Sequence, residues 1–385
     1  MIDRYQNQRI RGIWSEAAKY GGWAAIEFEY LAVRGIRRPW FADLVTKVTV
    51  ETVREKEKET GHDVAAFVAV FCDLIEAREP GLSREFHYRL TSSDLVDTWN
   101  GVCLVRSIQY LVRLAEELRS DLQDANARTQ GLMAVGRTHG QAAVPVPFGD
   151  RYLKVENQLK FAIVGLRAQI HFSGDYPDLG KIGGPTGSEI PEYDELQVLA
   201  KFGLSPAARP AGQCVDRIKY FRIAAAVMEL GLVLDGFAQD LRLLAIEEVG
   251  EVAEGYPEGR IGSSSMPHKK NPVTLEKING LVRVLRGHFA TLTSNTSLWL
   301  ERDISHSSVE RLVLPDFFEI SAYCLVTLAQ VVKDLVVNPS RVQSNLEAVK
   351  EKMGSFERLH QSTGPRMESY QNSRPCGQPQ NPHER

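Results

Sequence analysis

Residues 104–122 read Leu-Val-Arg-Ser-Ile-Gln-Tyr-Leu-Val-Arg-Leu-Ala-Glu-Glu-Leu-Arg-Ser-Asp-Leu. Leu104, Ile108, Leu111, Ala115, Leu118 and Leu122 recur in alternating steps of four and three. A helix turns once in about 3.6 residues, so this spacing lays one apolar stripe along a long helix. The pattern returns at Val227, Leu230, Leu234, Phe237, Leu241 and Leu244, and at Val155, Leu159, Ala162 and Leu166, while the 317–335 segment adds a fourth stripe. Such faces must be buried against one another, so the expectation is an all-α fold built around a bundle of long helices. Long antiparallel helices can also pack against copies of themselves.

Strand signals are sparse. The β-branched stretch 44–53 is expected to be helical, because the Glu/Lys-rich residues 54–59 continue it and Gly61 would stop it. Most of the Gly and Pro falls in four stretches read as loops, 136–149, 173–192, 203–213 and 255–272. On a helical scaffold such loops are where chemistry sits. From Lys352 onward the apolar period fades into Ser/Pro/Gln/Asn-rich sequence, which is expected to be mostly disordered.

The bulk numbers exclude several classes. With 385 residues, 43% hydrophobic and 25% charged, the chain has the composition of a globular protein of two or three domains. A net charge of −3 lacks the basic excess of a nucleic-acid-binding domain. Five cysteines at 72, 103, 214, 324 and 376 form no CxxC pair. That argues against a disulfide framework or zinc site and for a cytoplasmic setting. No apolar run is long enough for a membrane span, and Met1–Arg11 lacks a signal-peptide core.

Residues 262–272, Gly-Ser-Ser-Ser-Met-Pro-His-Lys-Lys-Asn-Pro, carry the strongest functional signal. Glycine frees the backbone and the two prolines fix φ, so a mobile segment with defined ends can present a serine, an ammonium and an amide to a small anion. A Ser-rich linker would not need Met266, paired prolines and Asn271 at fixed offsets. Three further polar clusters, 60–63, 91–94 and 136–140, precede it, and Glu301–Arg311 follows. Each has a plain structural reading. Thr91–Asp94 can cap a helix, His62 and His306 can lie on the surface, and Arg302 and Arg311 can pair with Glu301 and Glu310 on a solvated face. Together they suit chemistry. Histidine carries protons near neutral pH. A serine acts as a base when backbone N–H groups and an ammonium such as Lys269 stabilise its alkoxide. If their segment is helical, Arg302, Ser307 and Arg311 share a face that suits a phosphate.

At this point the residues resemble a family. The 262–272 run is similar to the signature loop of the fumarase/aspartase superfamily, and within it the chain resembles the adenylosuccinate lyases. The likeness rests on Ile2-Asp3-Arg4-Tyr5, residues 60–67, 91–98, 136–140, the signature loop and Trp299–Ser308, in family order over about residues 1–345. It implies a fumarase/aspartase-like three-domain subunit, with an N-terminal helical domain at 1–95, a central helical bundle at 96–340 and a C-terminal segment at 341–385. The last looks truncated or divergent against the family's helical third domain. The resemblance further implies a homotetramer whose active sites are shared between chains, with no metal or organic cofactor and no nucleic-acid or membrane partner.

The roles it implies are specific. Ser263 would abstract the proton next to a succinyl carboxylate. Lys269 and Asn271 would stabilise the aci-carboxylate that forms. His139 would protonate the departing nitrogen, His62 would assist at the substrate beside Asp63, and Glu276 would orient a histidine. Thr91, Ser92, Thr138 and Gln213 would bind the succinyl part, and Arg4, Tyr5, Arg302, Ser307 and Arg311 the nucleotide phosphate. Other fumarate-releasing lyases of the superfamily (argininosuccinate lyase, carboxymuconate cycloisomerase) and a non-catalytic relative are the alternatives. The Arg302/Ser307/Arg311 cluster discriminates, because the substrates of those other lyases carry no 5′-phosphate.

Overall fold

A computed structural model of the chain describes residues 2–170, 176–207, 212–255, 271–351 and 354. The helices in chain order are α1 (Gln8–Ile13), α2 (Glu16–Val33), α3 (Phe41–Lys47), α4 (Val50–Thr60), α5 (Asp63–Arg78), α6 (Ser92–Arg128), α7 (Asp150–Ala168), α8 (Glu192–Ala200), α9 (Arg217–Leu244), α10 (Val273–Ser294), α11 (Ser305–Asp334) and α12 (Pro339–Ala348). Among the described residues four short strands, β1 (Met133–Thr138), β2 (Gln141–Pro147), β3 (Val252–Ala253) and β4 (Val336–Val337), pair as two antiparallel ribbons.

The stripes explain the packing. Every residue of the Leu104–Leu122, Val155–Leu166 and Val227–Leu244 series is buried. Their helices form the bundle: α6 packs on α7 and α11, α9 on α7 and α10, and α10 on α11. Contrary to the expectation from the sequence, one helix, Ser305–Asp334, is long and apolar enough to cross a membrane, although its most apolar stretch is mostly buried inside the protein. A second cluster of rings (Tyr20, Trp23, Phe28, Phe67, Phe71, Phe86) ties α2 to α5 at the N-terminal end.

Two further expectations need correction. The 44–59 stretch is two helices, not one. Val48 leaves helical geometry, and Thr49 restarts it as the cap of α4, with its side chain accepting from Thr52 N. Gly61 does end α4, in the left-handed conformation that costs glycine no Cβ clash. Residues 136–149, read as a loop, largely form the β1–β2 hairpin, with Thr138 opposite Gln141. Its two-residue turn is His139–Gly140, both at positive φ (55° and 74°), the backbone that matches strand twist in tight hairpins. The signature segment 256–270 and most of the C-terminal segment lie outside the described residues.

Candidate active site

A cavity of about 370 Å³ opens between α2, α5, α6 and α11. Its lining includes His62, Asp63, Ser92, Arg302, Ser307 and Arg311, so six of the expected site residues meet although they are far apart in sequence. A volume of this order suits a small-molecule ligand.

Three helix starts aim these groups. His62 caps α5, and its Nδ1 accepts from Val64 N (3.1 Å) and Ala65 N (3.4 Å). The neutral ring therefore carries its proton on Nε2, which makes it a donor on that side. Thr91 caps α6, and the carboxylate of Asp94 accepts from Thr91 N at 2.8 Å, so the capping expectation holds and Ser92 follows at the cavity wall. Asp94 is fully buried and also accepts from Lys181 Nζ (2.5 Å), Gly183 N (2.8 Å) and Gly184 N (3.1 Å). It thereby ties the start of α6 to the glycine-rich segment. Asp303, two residues ahead of Ser305 at the start of α11, accepts from the Ser305 hydroxyl, from Trp299 N (2.8 Å) and from Ser305 N (2.8 Å); these hydrogen bonds hold its carboxyl down at about 2.

The arginines do not pair as a solvated face would have them. Arg302 precedes α11 rather than sharing its surface, and it donates to Gln213 Oε1 at 2.6 Å. Gln213 Nε2 in turn donates to Pro185 O at 2.8 Å. Arg311 pairs with Asp63 at 2.8 Å. Burial pushes the Asp63 carboxyl up, but the Arg311 hydrogen bond and charge, with help from Lys19, hold it below the usual range.

Sequence reasoning missed the cavity floor. Arg217 is buried and uses all five of its N–H groups. It donates to Asp97 (2.7 and 2.8 Å), to Glu310 (2.8 and 2.9 Å) and to Val215 O (2.7 Å). Burial pushes Glu310 up to about 7 against the pull of Arg217. His306, expected at the surface, is buried beside this group, and burial with the Arg217 charge depresses it to about 4. The signal was present in the stripes. Continuing the apolar period places Asp97 in line with Leu104, Arg217 with Val227, and Glu310 with Leu314 and Phe317. A charge at a position the period assigns to core has to be partnered.

Other expected site residues lie elsewhere. Thr138 and His139 are exposed at the hairpin tip. Arg4 is exposed, and Tyr5 packs edge-on against Tyr323 (centroids 5.4 Å apart); neither lines this cavity. Glu276, in the first turn of α10, faces Arg242 at 3.6 Å. Asn271 sits just before that helix, and Ser263 and Lys269 fall outside the described residues. The described ends of that segment are nonetheless tied together. Glu254 accepts from Thr274 N (3.2 Å) and Leu275 N (2.7 Å), which caps α10 from across the gap.

A sequence-family model described as Lyase matches residues 44–287. An adenylosuccinate lyase of Thermotoga maritima is 35% identical over 363 residues, covering 91% of this chain and 81% of that protein. An adenylosuccinate lyase of Aquifex aeolicus is 34% identical, covering 91% and 80%. Among solved structures, a 3-carboxy-cis,cis-muconate lactonizing enzyme from Pseudomonas putida superposes with a TM-score of 0.82 at 21% identity, covering 95% of this chain and 84% of that one. That last likeness shows a shared fold.

Proposed function

This chain belongs to the adenylosuccinate lyase family, and from that premise we propose that it splits adenylosuccinate into AMP and fumarate, and the succinylated aminoimidazole carboxamide ribotide into its carboxamide and fumarate. It is a carbon–nitrogen lyase. The observation that carries the substrate reading is the meeting of Arg302, Ser307 and Arg311 with His62 and Ser92 around one cavity. Two guanidiniums and a hydroxyl suit a phosphate, and Ser92 with Gln213 suits the succinyl carboxylates.

The chemistry is a β-elimination. Ser263, as its alkoxide, takes the proton from the succinyl carbon next to a carboxylate. Lys269 and Asn271 receive the charge that builds on that carboxylate, which is electrostatic stabilisation set in place beforehand. The C–N bond breaks, its electron pair leaves on nitrogen, and an imidazole returns a proton there. His139 is our choice of donor. Its exposed position at a hairpin tip, away from this cavity, fits delivery to the site of a neighbouring copy, and hence a homotetramer with shared sites. His62, with Nε2–H outward, donates a hydrogen bond to the bound succinyl group.

Ser263→Ala tests the base assignment. Fumarate release should fall about 100-fold or more, with assembly intact. Unchanged turnover in an intact assembly would remove Ser263 from the mechanism.

A further inference from the structure

Lys19, on α2, lines the same cavity and has no part in the roles given so far. Its Nζ lies 3.6 Å from Asp63 Oδ2 and over the rings of Tyr20 (4.6 Å) and Trp23 (5.1 Å). Its side chain is 24% exposed, so the ammonium is held at the wall and not in bulk water. Asp63 Oδ1 already accepts from Val64 N at 2.9 Å, which leaves Oδ2 to be shared by Lys19 and Arg311.

One buried carboxylate faces both cations, and Lys19 lies a further 3.9 Å from Glu16 Oε1 at the cavity wall. A phosphate bound by the Arg311 fork would draw that guanidinium off Asp63. A buried carboxylate without a partner is costly, so a second cation must stay on it. Lys19 is placed to do so, and its compact ammonium needs only one oxygen, whereas the fork of Arg311 matches two phosphate oxygens. We propose that Lys19 is a positioning residue for the phosphate site: it holds Asp63 and thereby frees Arg311 for the doubly charged phosphate. The inference rests on the nucleotide reading above.

The test compares wild type, Lys19→Met and Lys19→Arg. KM and kcat are measured with the succinyl nucleotide and with its dephosphorylated nucleoside, and AMP and inorganic phosphate binding are measured directly by calorimetry. Lys19→Met should raise KM and the AMP Kd about 10- to 100-fold, with the larger change in KM rather than kcat. The preference for nucleotide over nucleoside should shrink, and Lys19→Arg should restore most of it. A KM and an AMP Kd that do not change, or an equal loss on both substrates, would overturn the proposal. Lys19→Gln serves if the Met variant has a lowered melting temperature. Failure of the functional reading looks different: the wild type would bind AMP without releasing fumarate from the nucleotide, and the binding measurements would still decide the role of Lys19.

Discussion

His62 does two jobs that one substitution can separate. Its Nδ1 accepts from Val64 N and Ala65 N at the start of α5, and the residue lines the cavity. Asparagine caps helices about as well as any residue but cannot act as an imidazole. His62→Asn should therefore keep stability within about 0.5 kcal/mol, because the cap survives. It should lower kcat about 100-fold or more, because the positioned donor is lost. Urea denaturation together with steady-state kinetics reads both quantities. Stability and kcat both preserved would mean that the residue serves only as a cap.

At the element scale the start of α6 is the part on which the site most depends. Asp94 accepts from the α6 cap, from a buried lysine and from two glycine N–H groups, so one carboxylate fixes Ser92 against the 183–187 segment. Asp94→Asn keeps the shape but leaves the Lys181 ammonium, 1% exposed, without its counter-charge. The expected loss is about 3 kcal/mol or more in urea denaturation, together with a raised KM. A loss below about 1 kcal/mol would show that Lys181 finds another partner. Much of this architecture was legible in the sequence. The long helices follow from the four–three spacing, and two helix ends follow from Gly61 and Thr91, whereas the break at Val48–Thr49 was not read. The β1–β2 hairpin was not legible, because Pro145 and Pro147 interrupt the alternation of Ala142, Val144 and Val146 and His139–Gly140 is an unusual turn pair. The floor of the site was overlooked because Asp97, Arg217 and Glu310 are 213 residues apart from first to last, and pairing at that distance leaves no local spacing to read.

Across the whole molecule, Asp97, Arg217 and Glu310 bolt α6, α9 and α11 together beneath the cavity, so the binding floor is also a fold contact. His306 reports on it. Burial and the Arg217 charge depress its pKa to about 4 against an ordinary 6.5, while Asp97 and Asp303 pull the other way. Below about pH 6.5 the unfolded chain takes up a proton that the fold refuses. Stability from this group is therefore complete above that pH and is lost as pH falls toward about 4. Wild type should lose several more degrees of melting temperature than His306→Asn between about pH 7 and about pH 5. Equal losses would contradict the assignment. The bundle helices also leave Phe161, Val164, Leu243 and Leu312 exposed, which agrees with the proposal that copies associate through them.

The site is argued to take a succinyl group attached to a phosphorylated nucleotide, with Arg302, Ser307 and Arg311 as the phosphate grip. The most direct measurement is kcat/KM for fumarate release by the purified protein, with adenylosuccinate and argininosuccinate measured side by side. The account predicts turnover of the nucleotide, with AMP and fumarate in equal amounts, and none of the amino-acid adduct. Fumarate from argininosuccinate alone would contradict it.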